Sequence, residues 1–401
     1  MATFQYKAYD KKGQLKTGII EAANKEEASE LLKNLNLTVT FLEEKVTRRF
    51  EIPITIGKKV SSKELVFFSR QFATMTKSGL TIIQSLRILE EQTTNQEFKK
   101  ILTKIADDVE AGISLSQSLS RYPKIFNKVY VAMVKSGESS GRLEETFSAL
   151  ADQLENNYKT INKIRSAMVY PSFILLLLIA VAILMIVMVI PQLKSLFEES
   201  NLELPWTTRL LIYVSDFFRN YWWIVILIVL AIIFGFYSWI NSKEGRKKWD
   251  RIKLKIPVFG KLFQKIYLSR FTRNLGTLIN SGLPILQALE ISSEAIGNTL
   301  YEESVNKAMK KVEAGSGLGK TLKRDENFPI MVAQMIEVGE KTGKIDDILI
   351  RLAEFFESEI DSTVKSISSL LEPILMVVMG LGVAILVASV IMPIYGLVQA
   401  F

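Results

Sequence analysis

Three long segments without a charged residue constrain this 401-residue chain more than any other feature. They cover residues 166–193, 220–242 and 373–401. Each exceeds the roughly 20 apolar residues that a helix needs to cross about 30 Å of hydrocarbon. A buried core helix would usually be shorter and would have a polar face. The sequence therefore predicts a mainly α-helical membrane protein with three transmembrane helices, at residues 166–193, 220–242 and 372–397.

Basic residues beside these segments predict how the chain is oriented. Residues 243–265 contain nine Lys or Arg and two acidic residues, whereas residues 194–219 contain three basic and four acidic residues. Because basic flanks stay in the cytoplasm, we expect a cytoplasmic N-terminus, an external loop at 194–219 and an external tail at 398–401. The net charge of +8 then reflects basic segments beside the lipid bilayer, and it indicates no nucleic-acid partner.

Much of the chain occurs twice. Residues 68–89 match residues 271–292 at an offset of 203, with ten of the 22 positions identical. At an offset of 202, the sequence Gly-Glu-Ser-Ser-Gly at 137–141 returns as Gly-Glu-Lys-Thr-Gly at 339–343. A chance match of this extent with one residue of slip is not credible, so the chain is a tandem duplication.

The duplication extends into the apolar segments, where Pro171 corresponds to Pro373. Each repeat is predicted to be a cytoplasmic unit followed by one span that leads outward. The segment 220–242 has no counterpart and returns the chain to the cytoplasm, which makes this a parallel repeat. We call the unit at 61–165 with the first span repeat 1, and the unit at 243–371 with the third span repeat 2.

The apolar pattern inside each cytoplasmic unit is helical. Apolar residues recur at the spacing of one helix face at positions 143, 147, 150 and 154, and again at 345, 349, 352 and 356. Gly79 and Gly282 fall where a helix needs a left-handed closing residue. Further glycine-marked turns are predicted at 112 and 137–141 and at their equivalents. Each unit is therefore expected to be an antiparallel helical bundle.

The first 45 residues differ from the rest of the chain. Alternating residues and turn signals predict two strands, a helix and a third strand, at 4–8, 15–21, 24–34 and 38–42. We expect a small ββαβ domain at residues 1–45, followed by a basic linker at 46–60.

The residue types for several common chemistries are missing. The chain has no His and no Cys, which removes zinc or haem ligation by those residues, Ser-His-Asp triads and disulfides. Acidic pairs such as Glu144-Glu145 and Asp346-Asp347 point to different helix faces, and they suit the first turn of a helix better than acid–base catalysis. No catalytic, cofactor-binding or metal-binding residue is predicted.

One segment imitates a nucleotide-binding motif. Residues 314–321, Ala-Gly-Ser-Gly-Leu-Gly-Lys-Thr, fit a relaxed phosphate-binding loop. A true loop follows a buried strand, but residues 302–313 are charged and helical in pattern. Repeat 1 also lacks the Gly-Lys-Thr ending. A turn between bundle helices is the better interpretation.

The spans contain no Asp, Glu, Lys, Arg or His. Ion-coupled transporters and voltage sensors need such groups at membrane depth, so a transporter is disfavoured. A signalling receptor would need an external sensory domain, which residues 194–219 are too short to form. The small residues Gly380, Ala384 and Ala388 share one face of the third span, and we favour a helix–helix interface there.

These motifs and their arrangement resemble the inner-membrane platform proteins of type II secretion and type IV pilus assembly machines, the PilC-like family. The resemblance covers nearly the whole chain, including residues 12–22 and 68–80. Its most specific marks are the two Gly-Glu-x-x-Gly sequences and the Tyr-Pro and Glu-Pro pairs at the first and third spans. The family-motif residues are Ser78, Gly79, Gly137, Glu138, Gly141, Tyr170, Pro171, Ser281, Gly282, Gly339, Glu340, Gly343, Glu372 and Pro373.

The resemblance implies a non-enzymatic scaffold without a cofactor in the bacterial inner membrane. Its implied partners are a cytoplasmic hexameric assembly ATPase, pilins or pseudopilins, other inner-membrane assembly components and further copies of itself. The family is thought to convey ATPase motion to pilins drawn from the membrane. A multi-pass transporter or signalling protein with duplicated helical modules is the alternative. The sequence leaves open whether the machine makes a pilus, a secretion pseudopilus or a DNA-uptake fibre.

Overall fold

The computed structural model describes residues 2–9, 15–22, 25–34, 38–44, 59–191 and 206–400. The chain divides into two compact units, Met1–Lys58 and Lys59–Phe401. Most of the predicted linker, the predicted turn at Lys12-Gly13, the start of the predicted external loop and the final residue lie outside the described residues.

The first unit contains a small antiparallel sheet with one helix. Its elements are β1 (Ala2–Tyr9), β2 (Leu15–Ala22), α1 (Lys25–Asn34) and β3 (Thr38–Glu44). Strand β1 lies in the centre and pairs antiparallel with β2 and β3. Ala22, Ala28 and Leu32 are buried together, because the apolar residues of α1 recur at helical spacing and face the sheet.

Repeat 1 folds into six helices. They are α2 (Ser62–Lys77), α3 (Ile82–Gln92), α4 (Gln96–Glu110), α5 (Leu115–Ser120), α6 (Lys128–Ser140) and α7 (Leu143–Leu184). Ser61 and Thr81 begin α2 and α3 with capping boxes, in which side chain and backbone satisfy each other's donors. Asn95 and Asn127 cap α4 and α6. Local sequence therefore sets most helix starts in repeat 1.

The rest of the second unit comprises one helix that contains the second span, followed by repeat 2. The elements are α8 (Trp206–Asn241), α9 (Lys243–Lys255), α10 (Phe259–Asn280), α11 (Ile285–Ala295), α12 (Thr299–Glu313), α13 (Leu318–Leu322), α14 (Ile330–Thr342) and α15 (Ile345–Ala400). Helices α10 to α15 correspond in order to α2 to α7. The basic segment after α8 forms α9, a helix without a counterpart in repeat 1.

Both repeats contribute to one hydrophobic core. In repeat 1 it is built around packed aromatic rings, among them Phe72 and Phe147, whose centroids lie 4.2 Å apart. In repeat 2, Phe271 and Tyr301 both pack against Phe328. The predicted apolar helix faces are confirmed, because the residues at 147, 150, 349, 352 and 356 are all buried.

Within the described residues, three helices are long and apolar enough to span a membrane: Leu143–Val189, Asn220–Asn241 and Ile345–Ala384. Their most apolar stretches have mean hydropathies of 3.3, 2.6 and 1.9. The first two of these stretches are not buried by protein at all. Large apolar surfaces left uncovered by protein are typical of helices in contact with lipid.

The helices extend beyond the predicted spans. Helix α7 runs unbroken from the bundle into the apolar segment and continues as a short π-helical stretch, Met185–Val189. Helix α15 does the same for the third span. Helix α8 begins at Trp206, inside the predicted external loop, and is kinked at Tyr221. The apolar span within α8, Asn220–Asn241, follows a helical stretch that contains the charged residues Arg209, Asp216 and Arg219.

An arginine of each bundle joins its first helix to its last. Arg70 of α2 contacts Asp152 at 2.5 Å and Glu155 at 2.7 Å, both on α7. The equivalent Arg273 of α10 binds Glu357 of α15 at 2.9 Å. Arginine suits this position because its planar fork can bind carboxylates with several donors. The pairs fix the helices that lead into the membrane against the bundles.

The hydrogen bond from Arg70 lowers the pKa of Glu155 below its ordinary value. The pair therefore stabilises the fold above the unfolded-state pKa of about 4.3 and loses this effect as pH falls through the lowered pKa. We expect Arg70→Gln to reduce the free energy of unfolding by up to about 1 kcal/mol near neutral pH. In denaturant titrations the deficit should shrink as the pH falls below about 4.3, the unfolded-state pKa. Arg324→Gln, at an exposed position, is the control; a deficit independent of pH would contradict the prediction.

Candidate functional site

The Ser-Gly-Leu motif closes the first helix of repeat 1. Gly79 has φ +85°, a left-handed conformation in which a side chain is strained. The Leu80 N–H donates to the carbonyl of Met75 at 3.1 Å, and the Ser78 hydroxyl donates to the carbonyl of Thr74 at 2.9 Å. This is the Schellman pattern of helix ends.

The same motif in repeat 2 has the same geometry. Gly282 has φ +87°, the Leu283 N–H donates to the Leu278 carbonyl at 3.1 Å, and the Ser281 hydroxyl donates to Thr277 at 2.8 Å. The prediction that both glycines close helices in a left-handed conformation is confirmed.

The glutamate of each Gly-Glu-x-x-Gly motif binds the start of a short helix. The Glu138 carboxylate accepts hydrogen bonds from the Leu115 N–H at 2.5 Å and the Ser116 N–H at 3.0 Å. These donors belong to the first turn of α5, where backbone N–H groups lack intrahelical partners. A negative charge there is also favoured by the helix dipole.

Repeat 2 reproduces this contact. The Glu340 carboxylate accepts from the Leu318 N–H at 2.5 Å and from the Gly319 N–H at 3.0 Å. The two repeats differ at most positions, yet in each of them the motif glutamate binds a pair of backbone amides. The glutamates tie α5 to α6 and α13 to α14, and their oxygens are engaged by the backbone.

The two glycines of the motif have different tasks. Gly141 and Gly343 lie in the left-handed region, with φ +71° and +68°, and end α6 and α14. Gly137 and Gly339 lie inside these helices, so the predicted turn at 137–141 is confined to its end. A Cβ at Gly137 would lie 2.3 Å from the Thr146 hydroxyl oxygen of α7. Glycine is needed there because α6 and α7 pack with almost no space between them.

The imitation of a phosphate-binding loop is a turn between α12 and α13, as the sequence indicated. Gly315 has φ +86° and forms the turn. The Leu318 and Gly319 amides, which would face a phosphate, already bind Glu340. The backbone amides that a nucleotide phosphate would need are therefore already bound by the carboxylate of Glu340.

The Tyr-Pro and Glu-Pro pairs lie within α7 and α15. Pro171 is buried, whereas Tyr170, Glu372 and Pro373 are exposed. A proline inside a helix removes one backbone hydrogen bond, and both repeats place this interruption near the beginning of the apolar segment. The pairs mark the passage into the span without ending the helix.

The small residues of the third span do not contact the rest of the described chain closely. Gly380 has no protein atom within 4 Å of the position of a Cβ, and Ala384 and Ala388 are exposed. Close approach occurs instead at Gly382, where a Cβ would lie 3.8 Å from Leu178 of α7. The predicted small-residue face is thus left open for another helix.

Apart from Ser281, the residues through which the repeats meet were not identified by sequence comparison. Ser136 of α6 donates to the Ser281 carbonyl at 2.6 Å, and Gln153 of α7 donates to Asn274 of α10 at 2.6 Å. Lys128 forms an ion pair with Glu294 at 2.5 Å. The repeats differ at the positions of Lys128, Ser136, Gln153 and Asn274, so the duplication gave no signal for these four residues.

Removing the charge of Glu138 or Glu340 should loosen one bundle. We expect Glu138→Gln and Glu340→Gln each to cost about 1–3 kcal/mol, because an amide offers one acceptor oxygen where two are used. Thermal unfolding of the detergent-solubilised protein measures the loss. Glu313→Gln, at the exposed end of α12, should leave the melting temperature unchanged. Equal melting temperatures for all variants would contradict the structural role.

Known proteins match the chain along its whole length. The family described as "Type II secretion system (T2SS), protein F" matches residues 68–191 and 271–393, and its "N-terminal domain" matches residues 1–43. "Type IV pilus assembly protein PilC" of Thermus thermophilus is 37% identical over 402 residues, covering 99% of this chain and 98% of that protein. "Type II secretion system protein F" of Vibrio cholerae is 31% identical, covering 98% of each. The resemblance inferred from the motifs is confirmed: the chain belongs to the type II secretion system protein F family.

Proposed function

We propose that this protein is a non-enzymatic inner-membrane platform of a type IV pilus or type II secretion machine. In this function it couples a cytoplasmic assembly ATPase to the assembly of pilins or pseudopilins. The observation that carries the proposal is similarity over nearly the full length to proteins named for those two machines. The three apolar helices support a place in the membrane.

A passive mechanical role agrees with the chemistry of the motifs. The glutamates that both repeats retain bind backbone amides, and the glycines allow turns and close helix packing. The apolar segments contain no Asp, Glu, Lys, Arg or His, one of which a proton or ion pathway would need. This observation favours the platform over the transporter alternative.

The charge distribution supports a cytoplasmic N-terminus and an external C-terminus. In this orientation the helical units at 61–165 and 243–371 lie in the cytoplasm. The turns at Gly141 and Gly343 then lie farthest from the membrane, because about 35–40 Å of α7 and α15 separates them from the spans. The membrane-distal end, which carries exposed Arg142 and Lys344, is the surface best placed for the ATPase.

Charge reversal at this end should weaken ATPase binding. We expect Arg142→Glu with Lys344→Glu to lower co-purification of the cognate assembly ATPase at least about fivefold, since charged surface contacts steer association. The control is Lys159→Glu with Lys365→Glu, which makes the same charge change on the same two helices nearer the membrane. Equal recovery of ATPase with both variants would contradict this placement. A deletion of residues 61–165 would not test this contact, because both repeats share one core and the deletion would disturb repeat 2 as well.

The small-residue face of the third span is proposed to meet a pilin or another membrane helix. Gly380, Ala384 and Ala388 would allow close approach of a second helix. Nothing in the described chain lies near a Cβ at Gly380, so a larger side chain there is compatible with the fold of the monomer.

Filling this face should stop assembly without disturbing the protein. We expect Gly380→Leu with Ala384→Leu to abolish filaments or pseudopili, counted by electron microscopy, while the protein still accumulates in the membrane. Gly235→Leu is the matched control, because Gly235 lies in the α8 span and also has open space around it. Normal assembly in the double variant would exclude the face as an assembly contact.

A symmetric ATPase partner is best matched by an oligomeric platform. We therefore propose that the protein acts as a homo-oligomer together with other inner-membrane components.

A further inference from the structure

The contact between the two repeats is asymmetric: each repeat uses a different surface. Helix α6 of repeat 1 packs on the turn between α10 and α11 of repeat 2, where Ser136 binds the Ser281 carbonyl. Next to this contact, Gln153 of α7 is 8% exposed and binds Asn274. A two-fold arrangement would also bring α14 onto the turn between α2 and α3. The exposure of both of those surfaces shows that the contact is used once.

One unused surface lies on repeat 2. The equivalents of Lys128, Ser136 and Gln153 are Ile330, Val338 and Phe355. These side chains are 61%, 50% and 46% exposed. Together with Met331 and Gln334 we call them the exposed face of repeat 2.

This face is more apolar than its used counterpart. A lysine, a serine and a glutamine in repeat 1 are an isoleucine, a valine and a phenylalanine in repeat 2. Selection for solubility would favour the opposite change on a surface that stays in water. Lipid does not cover Phe355, because it lies 17 residues, about 25 Å of helix, before Glu372. The surface therefore has the character of a protein contact.

The other unused surface lies on repeat 1. It comprises the equivalents of Arg270, Leu283 and Ile291, which are Phe67, Leu80 and Ile88. Phe67 is 53% exposed, whereas Leu80 and Ile88 are partly exposed. We call these three residues, with Ser78 and Gln71, the exposed turn of repeat 1. It too has gained an apolar residue, since Phe67 stands where repeat 2 has an arginine.

We propose that the exposed face of repeat 2 binds the exposed turn of repeat 1 in another molecule of this protein. The two surfaces are the equivalents of the two that already meet inside the chain, where Arg270, Leu283 and Ile291 of repeat 2 line clefts that Lys128, Ser136 and Gln153 of repeat 1 also line. Repeat 2 of one molecule would then meet repeat 1 of the next in the way that repeat 1 meets repeat 2 inside the chain, an arrangement we call the internal step. Such an association is heterologous, with different surfaces on its two sides. This inference rests on the proposed function in one respect, the proposal that the protein acts as a homo-oligomer. It names the two surfaces that would form that oligomer.

The membrane allows this repetition. Helices α7 and α15 run in the same direction side by side, since Lys163 pairs with Asp361 and Leu178 lies beside Gly382. The internal step thus relates two spans that enter one bilayer with one orientation. Repeating it keeps the spans of the next molecule in the same bilayer.

The contact between molecules cannot be identical to the internal one. The ion pair of Lys128 with Glu294 has no counterpart, because residue 330 is isoleucine and the equivalent of Glu294 is Glu91. The contact between molecules depends more on apolar burial, which the three aliphatic or aromatic replacements supply.

Cysteine cross-linking tests the proposal directly, because the natural chain has no cysteine. Position 338 should lie beside position 78 of the neighbour, as Ser136 lies beside Ser281. Two differently tagged full-length chains, one with Val338→Cys and one with Ser78→Cys, are co-expressed, and their membranes are mildly oxidised. We expect a disulfide-linked dimer that carries both tags.

Two controls calibrate this result. Ser136→Cys with Ser281→Cys in one chain should form the internal disulfide and shows that the geometry permits cross-linking. Lys310→Cys replaces Val338→Cys as an exposed position outside the proposed face. Three results would overturn the proposal: linkage no greater than with Lys310→Cys, dimers joined 338 to 338, or linkage of position 338 to a different protein.

Disruption from either side provides a second measurement. We expect Val338→Asp and Phe67→Asp each to lower the oligomeric mass of the detergent-solubilised protein, and both positions are exposed enough to leave the monomer folded. Loss with only one variant would contradict the pairing of these surfaces. Neither assay depends on filament formation. If the cross-link forms but the protein is dispensable for assembly, the proposed function is contradicted and the proposed contact is not.

Discussion

The continuity of α7 and α15 from bundle to membrane is the constraint on which the rest of the structure depends. Each helix begins at a turn of the Gly-Glu-x-x-Gly motif, forms one wall of a bundle and then becomes a span. Each helix is thus a continuous rod that connects the bundle end to the apolar segment. The arginine pairs and the Glu138 and Glu340 contacts hold the other helices to these rods.

The duplication produced two long helices, α7 and α15, but the two repeats are not equivalent. The repeats keep the residues that build each bundle, such as the glutamate on the backbone amides and the glycine that admits the neighbouring helix. They differ where the bundles meet, because one surface of each is used internally and the other is not. Divergence at Ser136 and Val338, for example, follows from their different surroundings: one lies against a neighbouring backbone carbonyl and the other faces outwards. An internal repeat can in this way record which surfaces have become interfaces.

Much of the fold could be predicted from the sequence, but not the role of every motif. Helical periodicity identified Phe147, Leu349 and their neighbours as core, and the glycines at 79 and 282 as helix ends, because these are local properties. The Gly-Glu-x-x-Gly sequence was recognised as a family mark, but its glutamate was not predicted to bind α5 or α13, 21 to 23 residues earlier in the chain. Charge counting did not predict that α8 begins at Trp206, since an uncharged run ends at a charged residue whereas a helix does not.

The sequence alone determined the membrane class, the duplication, the family and the lack of cysteine and histidine chemistry. These depend on composition, length and periodicity, which the order of residues carries without reference to distant contacts. Tertiary structure decided that both repeats share one core, that Glu340 occupies the apparent phosphate-binding loop and that the contact between repeats is made once. Each of these depends on which distant surfaces meet. A one-dimensional pattern cannot state that, because the free energy of packing belongs to pairs of surfaces rather than to segments.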